Sequence, residues 1–280
     1  MKKVFKWIGT AFLFLVLIAG SLYMIYLRPF IQKMKVVNDI NYDKELTIVI
    51  GGGGNSGVIA SDSLVVVVDT KMDEAALNLY EKAKKIARNK PILVINTHVH
   101  PDHIGGNKLY KGCNIIAGGN YSREHWIKQG GEESLPNQWL KGIRRIHVGD
   151  DTLTILNLEQ NAHTESDLVV YLHRRKLLFG GDVILNRQNA IIMDKGTANG
   201  YLWAFDRLML AFDIQQVVPG HGQFGGKEVI DNFQTYFKDL KLASEDDSQK
   251  SAMIAKYKDW NSIPVFMSPE AIVRAFKKEK

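Results

Sequence analysis

The sequence has a single cysteine, Cys113, in 280 residues, so no internal disulfide can form and cysteine usage says nothing about redox compartment. It has no internal repeat and no low-complexity segment, which removes repeat arrays and biased tails from consideration. Acidic residues are absent from positions 1–35, which hold six bases: Lys2, Lys3, Lys6, Arg28, Lys33 and Lys35. Of the 36 Lys and Arg, the 30 that remain elsewhere face 30 Asp and Glu, so the basic excess is local and no nucleic-acid partner is expected. Charge is missing altogether from Trp7 to Leu27, a run of 21 residues rich in Leu, Ile, Val, Phe and Ala. As a helix rising ~1.5 Å per residue it is long enough for the hydrocarbon layer. The expectation is therefore a cytoplasmic tail over 1–6, a transmembrane anchor over 7–27 and a single-pass membrane protein with its body on the extracytoplasmic side. A signal cleaved near Ala19, Gly20 and Ser21, giving a secreted protein, is the alternative. No cysteine lies nearby to carry a lipid.

Residues 28–44 read as a polar linker, and an alternating, β-rich pattern begins at Glu45. Gly52, Gly54 and Gly57 formally match a dinucleotide-binding pattern, but Val58, Ile59 and Ala60 follow where that motif needs a helix. They are read as a turn between strands. Residues 72–89 carry Ala75, Leu77, Tyr80, Ala83 and Ile86 at helical spacing before Pro91. Strands are expected over Leu64–Val68, Ile92–Asn96, Asn114–Ala117, Thr152–Leu158, Leu168–Leu172, Lys176–Phe179 and Gln215–Val218, with a helix over Tyr201–Phe212. This alternation predicts a layered α/β domain over 45–225. Helices over 226–280 are expected to pack on it, the last started by Ser268 as cap and Pro269 in the first turn, with a solvated loop at Glu245–Ser248.

The chemistry concentrates where a strand ends. Thr97-His98-Val99-His100-Pro101-Asp102-His103 puts three histidines and an aspartate into six residues, and imidazole and carboxylate are the usual ligands of zinc and similar ions. One short loop cannot encircle a metal, so further ligands should return from distant strands. His163, Asp182 and His221 each follow a β-segment among small or turn-forming residues. His125, His147 and His173 lack such settings and are assigned to surface or packing. Trp126, Trp139, Tyr201 and Trp203 flank the motifs, either as pocket lining or as packing.

With these motifs in this order, residues 45–225 resemble the metallo-β-lactamase superfamily, in its lactamase-like metallohydrolase branch. The resemblance implies a four-layer αββα sandwich, here with an N-terminal transmembrane helix and a short C-terminal helical extension. It also implies two divalent metal ions, zinc foremost and iron or manganese as alternatives. His98, His100 and His163 would hold one, Asp102, His103 and His221 the second, with Asp182 between them and Asp69 supporting the histidine loop. The string His163-Thr164-Glu165-Ser166-Asp167 is similar to the lactamase-like branch. Zinc β-lactamases of that branch carry a cysteine where this chain has Asp182 and a lysine where it has Leu185, with Arg187 or Lys195 as the replacements for the lysine's anion contact. Met193-Asp194-Lys195-Gly196, Gly200, Tyr201 and Asp206 look like a broad group of bacterial hydrolases.

The implied activity is hydrolysis of a carbonyl bond in a small-molecule substrate, an ester, lactone, thioester or amide, by a metal-bridging hydroxide. Asp102 is its catalytic residue, orienting the water or passing on its proton. Because ligand histidines bind as neutral rings, metal affinity and activity are expected to fall as pH drops through about 6. An iron-dependent oxidoreductase acting on persulfides, a phosphodiesterase and a non-catalytic metal-stabilised module remain as alternatives.

Overall fold

The computed structural model describes residues 2–28, 36–262 and 267–279; residues 29–35 of the expected linker lie outside them. Helix α1 (Lys2–Leu22) is followed by a π-helical stretch, Tyr23–Leu27. The expected membrane anchor is overturned here: among the described residues no helix is long and apolar enough to cross a membrane. Lys2, Lys3 and Lys6 fall inside α1, and the uncharged run is divided at Leu22. The single-pass placement and the extracytoplasmic side lose their basis with it.

The first sheet holds β1 (Val37–Asn41), β2 (Leu46–Gly51), β3 (Ser56–Ala60), β4 (Val65–Val68), β5 (Ile92–Ile95), β6 (Asn114–Gly118) and β7 (Gln138–Leu140), in that spatial order. Its first four strands are antiparallel and the rest parallel. The second holds β8 (Ile143–Val148), β9 (Asp151–Leu158), β10 (Asp167–Leu172), β11 (Leu177–Leu185), β12 (Gln216–His221) and β13 (Gly225–Gly226), ordered β13-β12-β11-β10-β9-β8. The remaining helices are α2 (Asp73–Ala87), α3 (Pro101–Ile104), α4 (Arg123–Gly130), α5 (Ala198–Ala211), α6 (Glu228–Glu245), α7 (Asp247–Ala255) and α8 (Pro269–Lys278).

The layering follows from side-chain alternation along strands. Val66 and Val68 join Leu46, Ile48, Ile155, Val170 and Phe179 between the two sheets. Val65 and Val67 point the other way, against Leu79, Ala83 and Ala87 of α2. On the far side, Leu156, Val169, Tyr171 and Leu178 meet Phe205 and Leu208 of α5, Phe233 and Phe237 of α6 and Phe276 of α8. The result is an α/β fold of two packed sheets with flanking helices. Each fully buried Val, Leu, Ile or Phe is worth roughly 1.5–3 kcal/mol, so the seam between sheets fixes where the strand ends lie.

Several expectations need correction. Residues 37–41, read as linker, form β1, an added edge paired to β2. The fully buried face of α2 is Ala76, Leu79, Ala83 and Ala87; of the residues expected there Ala83 is buried, Tyr80 and Ile86 pack at its margin, and Leu77 is exposed. Asp246, assigned to a solvated loop, caps α7 by accepting the Ser248 N–H at 2.9 Å. Most relevant here, β11 does not stop at Phe179 but continues to Leu185 with register shifts around Gly181, so Asp182 stands within a strand at an irregularity. Gly52 and Gly54 do form the β2–β3 turn, and Ser268 accepts the Ala271 N–H at 3.3 Å as cap of α8.

Candidate metal centre

The parallel strand β5 ends at Ile95 and hands the chain to a loop bearing His98 and His100, then to α3, which starts at Pro101 and carries Asp102 and His103. His163 sits between β9 and β10, Asp182 in β11, and His221 is the last residue of β12. Sheet packing brings all seven together in two groups. The candidate ligand atoms of His98, His100, His163 and Asp182 lie within 4.8 Å of one another, as do those of Asp102, His103 and His221.

Asp182 touches both groups. Its Oδ1 is 3.2 Å from His103 Nε2, and its Oδ2 is 3.4 Å from His221 Nε2 and 3.6 Å from His163 Nε2. Asp102 Oδ2 is 3.1 Å from His221 Nε2, and His163 Nε2 is 3.0 Å from His100 Nδ1. His98 Nε2, His103 Nε2 and Asp182 Oδ1 are buried and none makes a well-formed hydrogen bond, the last two facing each other only as an ion pair. Leaving such atoms unpaired costs about 1–3 kcal/mol each. Three of them facing one space is the pattern a cation would satisfy.

The faces turned away from this space are held. Asp69, buried at the end of β4, accepts the Thr97 N–H at 2.7 Å through Oδ1, and through Oδ2 the Thr97 hydroxyl at 2.7 Å and His103 Nδ1 at 2.8 Å. His163 Nδ1 is 2.9 Å from the Ile191 carbonyl and 3.0 Å from the Tyr201 hydroxyl. The His163 N–H donates to Asp167 at 2.9 Å. His100 turns Nε2 to Asp194 Oδ2 at 2.7 Å. The β2–β3 turn presses on the same space: a Cβ at Gly54 would stand 2.3 Å from the His103 ring, so only glycine fits. The buried Lys71 ammonium gathers the carbonyls of Val49, Gly51 and Gly54 behind that turn, and burial pushes its pKa down to about 7.

Electrostatics divide the candidate ligands. Burial drives His98 well below the usual imidazole range, with His103 adding to it, and burial takes His163 down to about 4. For His103 and His221 burial acts in the same direction but is outweighed by carboxylates. Asp102, Asp182 and Asp69 hold His103 well above its ordinary value, and Asp182 and Asp102 lift His221 to about 9. Asp102 and Asp182 are depressed despite their burial, by His103 and His221. Protons on His103 and His221 thus occupy the electrostatic place that a divalent cation would take.

Of the other residues singled out, Trp126 is a fully buried packing group, Tyr201 is fully buried with its hydroxyl against His163 and the Asp182 carbonyl, and Trp139 is partly exposed. His147 and His173 bond Thr152 and Thr154 at 3.1 and 2.8 Å, away from the site. His125 departs from its packing assignment, with Nε2 3.2 Å from Asp194 and Nδ1 2.9 Å from Glu165. Lys195 is ion-paired to Glu165, and Leu185 is buried. Asp194, Asn55 and Lys71 were not foreseen in supporting roles. Only the Met193–Gly196 stretch offered a signal, since the positive φ of Asp194 and Lys195 is invisible to periodicity. A cavity of about 300 Å³ opens at His221, lined by Asn38, Asn55, Gln188, Gln223 and Asn261 among others. A larger one, about 930 Å³ beside Lys82, Lys85 and Arg88, touches no residue of the site.

Comparison with known proteins gives a consistent result. The chain is 24% identical to an acyl-coenzyme A thioesterase of Homo sapiens over 216 residues, covering 64% of this chain and 76% of the relative. It is 26% identical over 180 residues to metallo-beta-lactamase type 2 of Bacillus cereus, covering 63% and 70%. Among solved structures, a metallo-beta-lactamase from Pontibacter korlensis superposes with a TM-score of 0.63 at 18% identity, over 72% of this chain and 99% of that one. A sec-alkylsulfatase from a Pseudomonas species gives 0.64 at 16%, over 88% and 50%. At these identities the structures show the shared fold. The family model for the metallo-beta-lactamase superfamily matches residues 49–221, which contain every residue of both groups, and the chain belongs to that superfamily.

Proposed function

We propose that this protein is a hydrolase that holds two divalent metal ions and cleaves a carbonyl bond in a small-molecule substrate, with thioesters and esters favoured. The observation that carries the reading is the convergence of His98 Nε2, His103 Nε2 and Asp182 Oδ1, all buried and none with a well-formed hydrogen bond, on the space shared by the two groups. His98, His100 and His163 would hold one ion, Asp102, His103 and His221 the other, and Asp182 would serve both. The nitrogen-rich donor set suits zinc, and iron or manganese also accept it. When bound, such ions acidify water toward a pKa of about 7 and polarise a carbonyl oxygen.

The chain's own residues orient the parts. Asp69 and Thr97 fix the histidine loop so that His103 Nε2 faces inward. Asp102 Oδ2, ionised and 3.1 Å from His221, is the acceptor for the proton that the attacking water gives up. The carboxamides of Asn38 and Gln223 at the cavity beside His221 offer uncharged hydrogen bonds to the rest of the substrate. Leu185 is buried and Lys195 is paired with Glu165. Neither of these two positions supplies a free cation to grip the carboxylate of a β-lactam, which leaves the exposed Arg187 alone for that contact, and the thioesterase relative supports the preference for thioesters.

The test is metal content of the full-length protein with a hydrolysis screen over acyl-coenzyme A thioesters, aryl esters, lactones, β-lactams and phosphodiesters. Two ions per chain and chelator-sensitive thioester or ester cleavage are expected. One iron per chain with oxygen consumption would replace hydrolysis by oxidation of a persulfide, and cleavage of phosphodiesters alone would overturn the carbonyl preference.

A further inference from the structure

His100 differs from the other members of its group in which nitrogen it turns inward. Its Nδ1 is 3.0 Å from His163 Nε2, and its Nε2 is 2.7 Å from Asp194 Oδ2. A ring that donates Nε2–H to a carboxylate keeps its lone pair on Nδ1, the atom facing the site. Asp194 is itself held. Its Oδ1 is 3.2 Å from His125 Nε2, His125 Nδ1 is 2.9 Å from Glu165 Oε1, and Glu165 Oε2 meets the Lys195 ammonium. Gln129, one helical turn on from His125, approaches Asp194 Oδ2 at 3.4 Å.

This arrangement ties three segments that are distant in sequence: α4 through His125 and Gln129, the His163 loop through Glu165, and the stretch Met193–Gly196. Asp194, His125 and Glu165 are largely shielded, with side chains 19%, 18% and 10% exposed, while Lys195 reaches solvent. Asp194 and Lys195 both lie at positive φ, 46° and 67°. Non-glycine residues keep such backbone only where their surroundings fix it. Here Lys195 bridges to Thr164, and Gly196 packs so close to the His163 carbonyl that a Cβ would stand 2.2 Å from its oxygen. The strained turn is fastened on both sides and aims one carboxylate at one histidine.

We propose that Asp194 is a positioning residue that sets the tautomer and ring orientation of His100, and that His125 and Glu165 brace it. The brace serves the three-histidine group, as Asp69 serves His103 in the other. The inference rests on His100 being a ligand, as proposed above, yet its first readout needs no metal.

That readout is the tautomer of His100 in the metal-free, full-length protein, from long-range proton–nitrogen NMR at alkaline pH. Wild type should show the Nε2–H form, and Asp194→Ala a mixture. Cobalt(II) titration followed by its visible spectrum then probes both groups. Asp194→Ala should weaken one of the two ions by about 10–100-fold and leave the other within about twofold. Asp194→Asn, whose amide oxygen still accepts Nε2–H, should recover most of the loss. His125→Gln should cost less and add little to Asp194→Ala, since both act through one contact. Thermal unfolding of each metal-free variant separates folding from positioning. An Nδ1–H tautomer in wild type, equal weakening of both ions, or no weakening would overturn the proposal. Wild type that binds no cobalt would instead sink the metal-dependent reading, with the tautomer still deciding the role of Asp194.

Discussion

Asp69 Oδ2 lies 2.8 Å from His103 Nδ1, and the same carboxylate takes both the N–H and the hydroxyl of Thr97. One side chain, 1% exposed, therefore fixes the start of the histidine loop and the ring at its end. Asp69→Ala would leave three buried donors without an acceptor. A loss of about 3–5 kcal/mol of stability is expected, with metal affinity down by about 10–100-fold at the group containing His103. Chemical denaturation of the metal-free protein and competition with a zinc chelator measure the two effects. Affinity within twofold of wild type would show that the loop holds its shape without Asp69.

The pH response should differ between the two groups. In the metal-free protein His163 is lowered to about 4 and His98 well below its usual value, so neither carries a proton that metal must displace at neutral pH. His221, raised to about 9, and His103, raised well above its ordinary value, do carry one. A group whose proton must leave binds metal more weakly as pH falls. The Asp102/His103/His221 group should therefore lose its ion first on acidification, and no single midpoint near 6 should describe both. Calorimetric titration at neutral pH in buffers of different ionisation enthalpy should show proton release, and the share from His221 should vanish as pH passes about 9. Absence of release at neutral pH would contradict these protonation states.

Asp182 reaches members of both groups. Asp182→Ala removes the carboxylate that faces His103, His163 and His221 at 3.2–3.6 Å. The variant should bind at most one ion tightly and lose turnover by 10²-fold or more, roughly 3 kcal/mol of transition-state stabilisation. Metal analysis after dialysis, with kcat/KM on the best substrate from the screen, checks both. Two retained ions with full activity would remove Asp182 from the site.

The seven candidate ligands could be picked out because histidine and aspartate gather there at or near the ends of recognisable β-segments. Leu64–Val68 was legible for a related reason, since an unbroken apolar run declares a strand covered on both faces. What the periods could not express was local irregularity. Asp182 was placed after a strand because Gly180-Gly181 reads as a stop, whereas β11 absorbs it through a shift in register. Asp194 was passed over because its role depends on left-handed backbone at two non-glycine residues, which no composition rule anticipates. His125 was judged alone, and its meaning lies in two carboxylates, 40 residues away at Glu165 and further still at Asp194. The membrane anchor failed for the opposite reason: the uncharged run looked regular along the sequence, but among the described residues no helix is long and apolar enough to cross a membrane.

Asn55 offers a final test, because it joins the first sheet to the loop that presents His221. Its Nδ2 donates to the carbonyls of Pro219 and Gly222 at 2.8 and 2.9 Å, and its Oδ1 accepts the Gly51 N–H at 2.9 Å. Asn55→Ala removes three hydrogen bonds worth about 1 kcal/mol each, so a loss of about 2–4 kcal/mol is expected. The backbone bond from Asn55 N–H to Gly220 remains, and the turn should persist. His221 would then be less well fixed, while the His98/His100/His163 group, built on other loops, keeps its geometry. Metal titration should show weakening confined to one ion, with thermal unfolding reporting the stability loss separately. Weakening of both ions alike would mean that the β2–β3 turn governs the whole centre through Gly54 and Lys71, and not His221 alone.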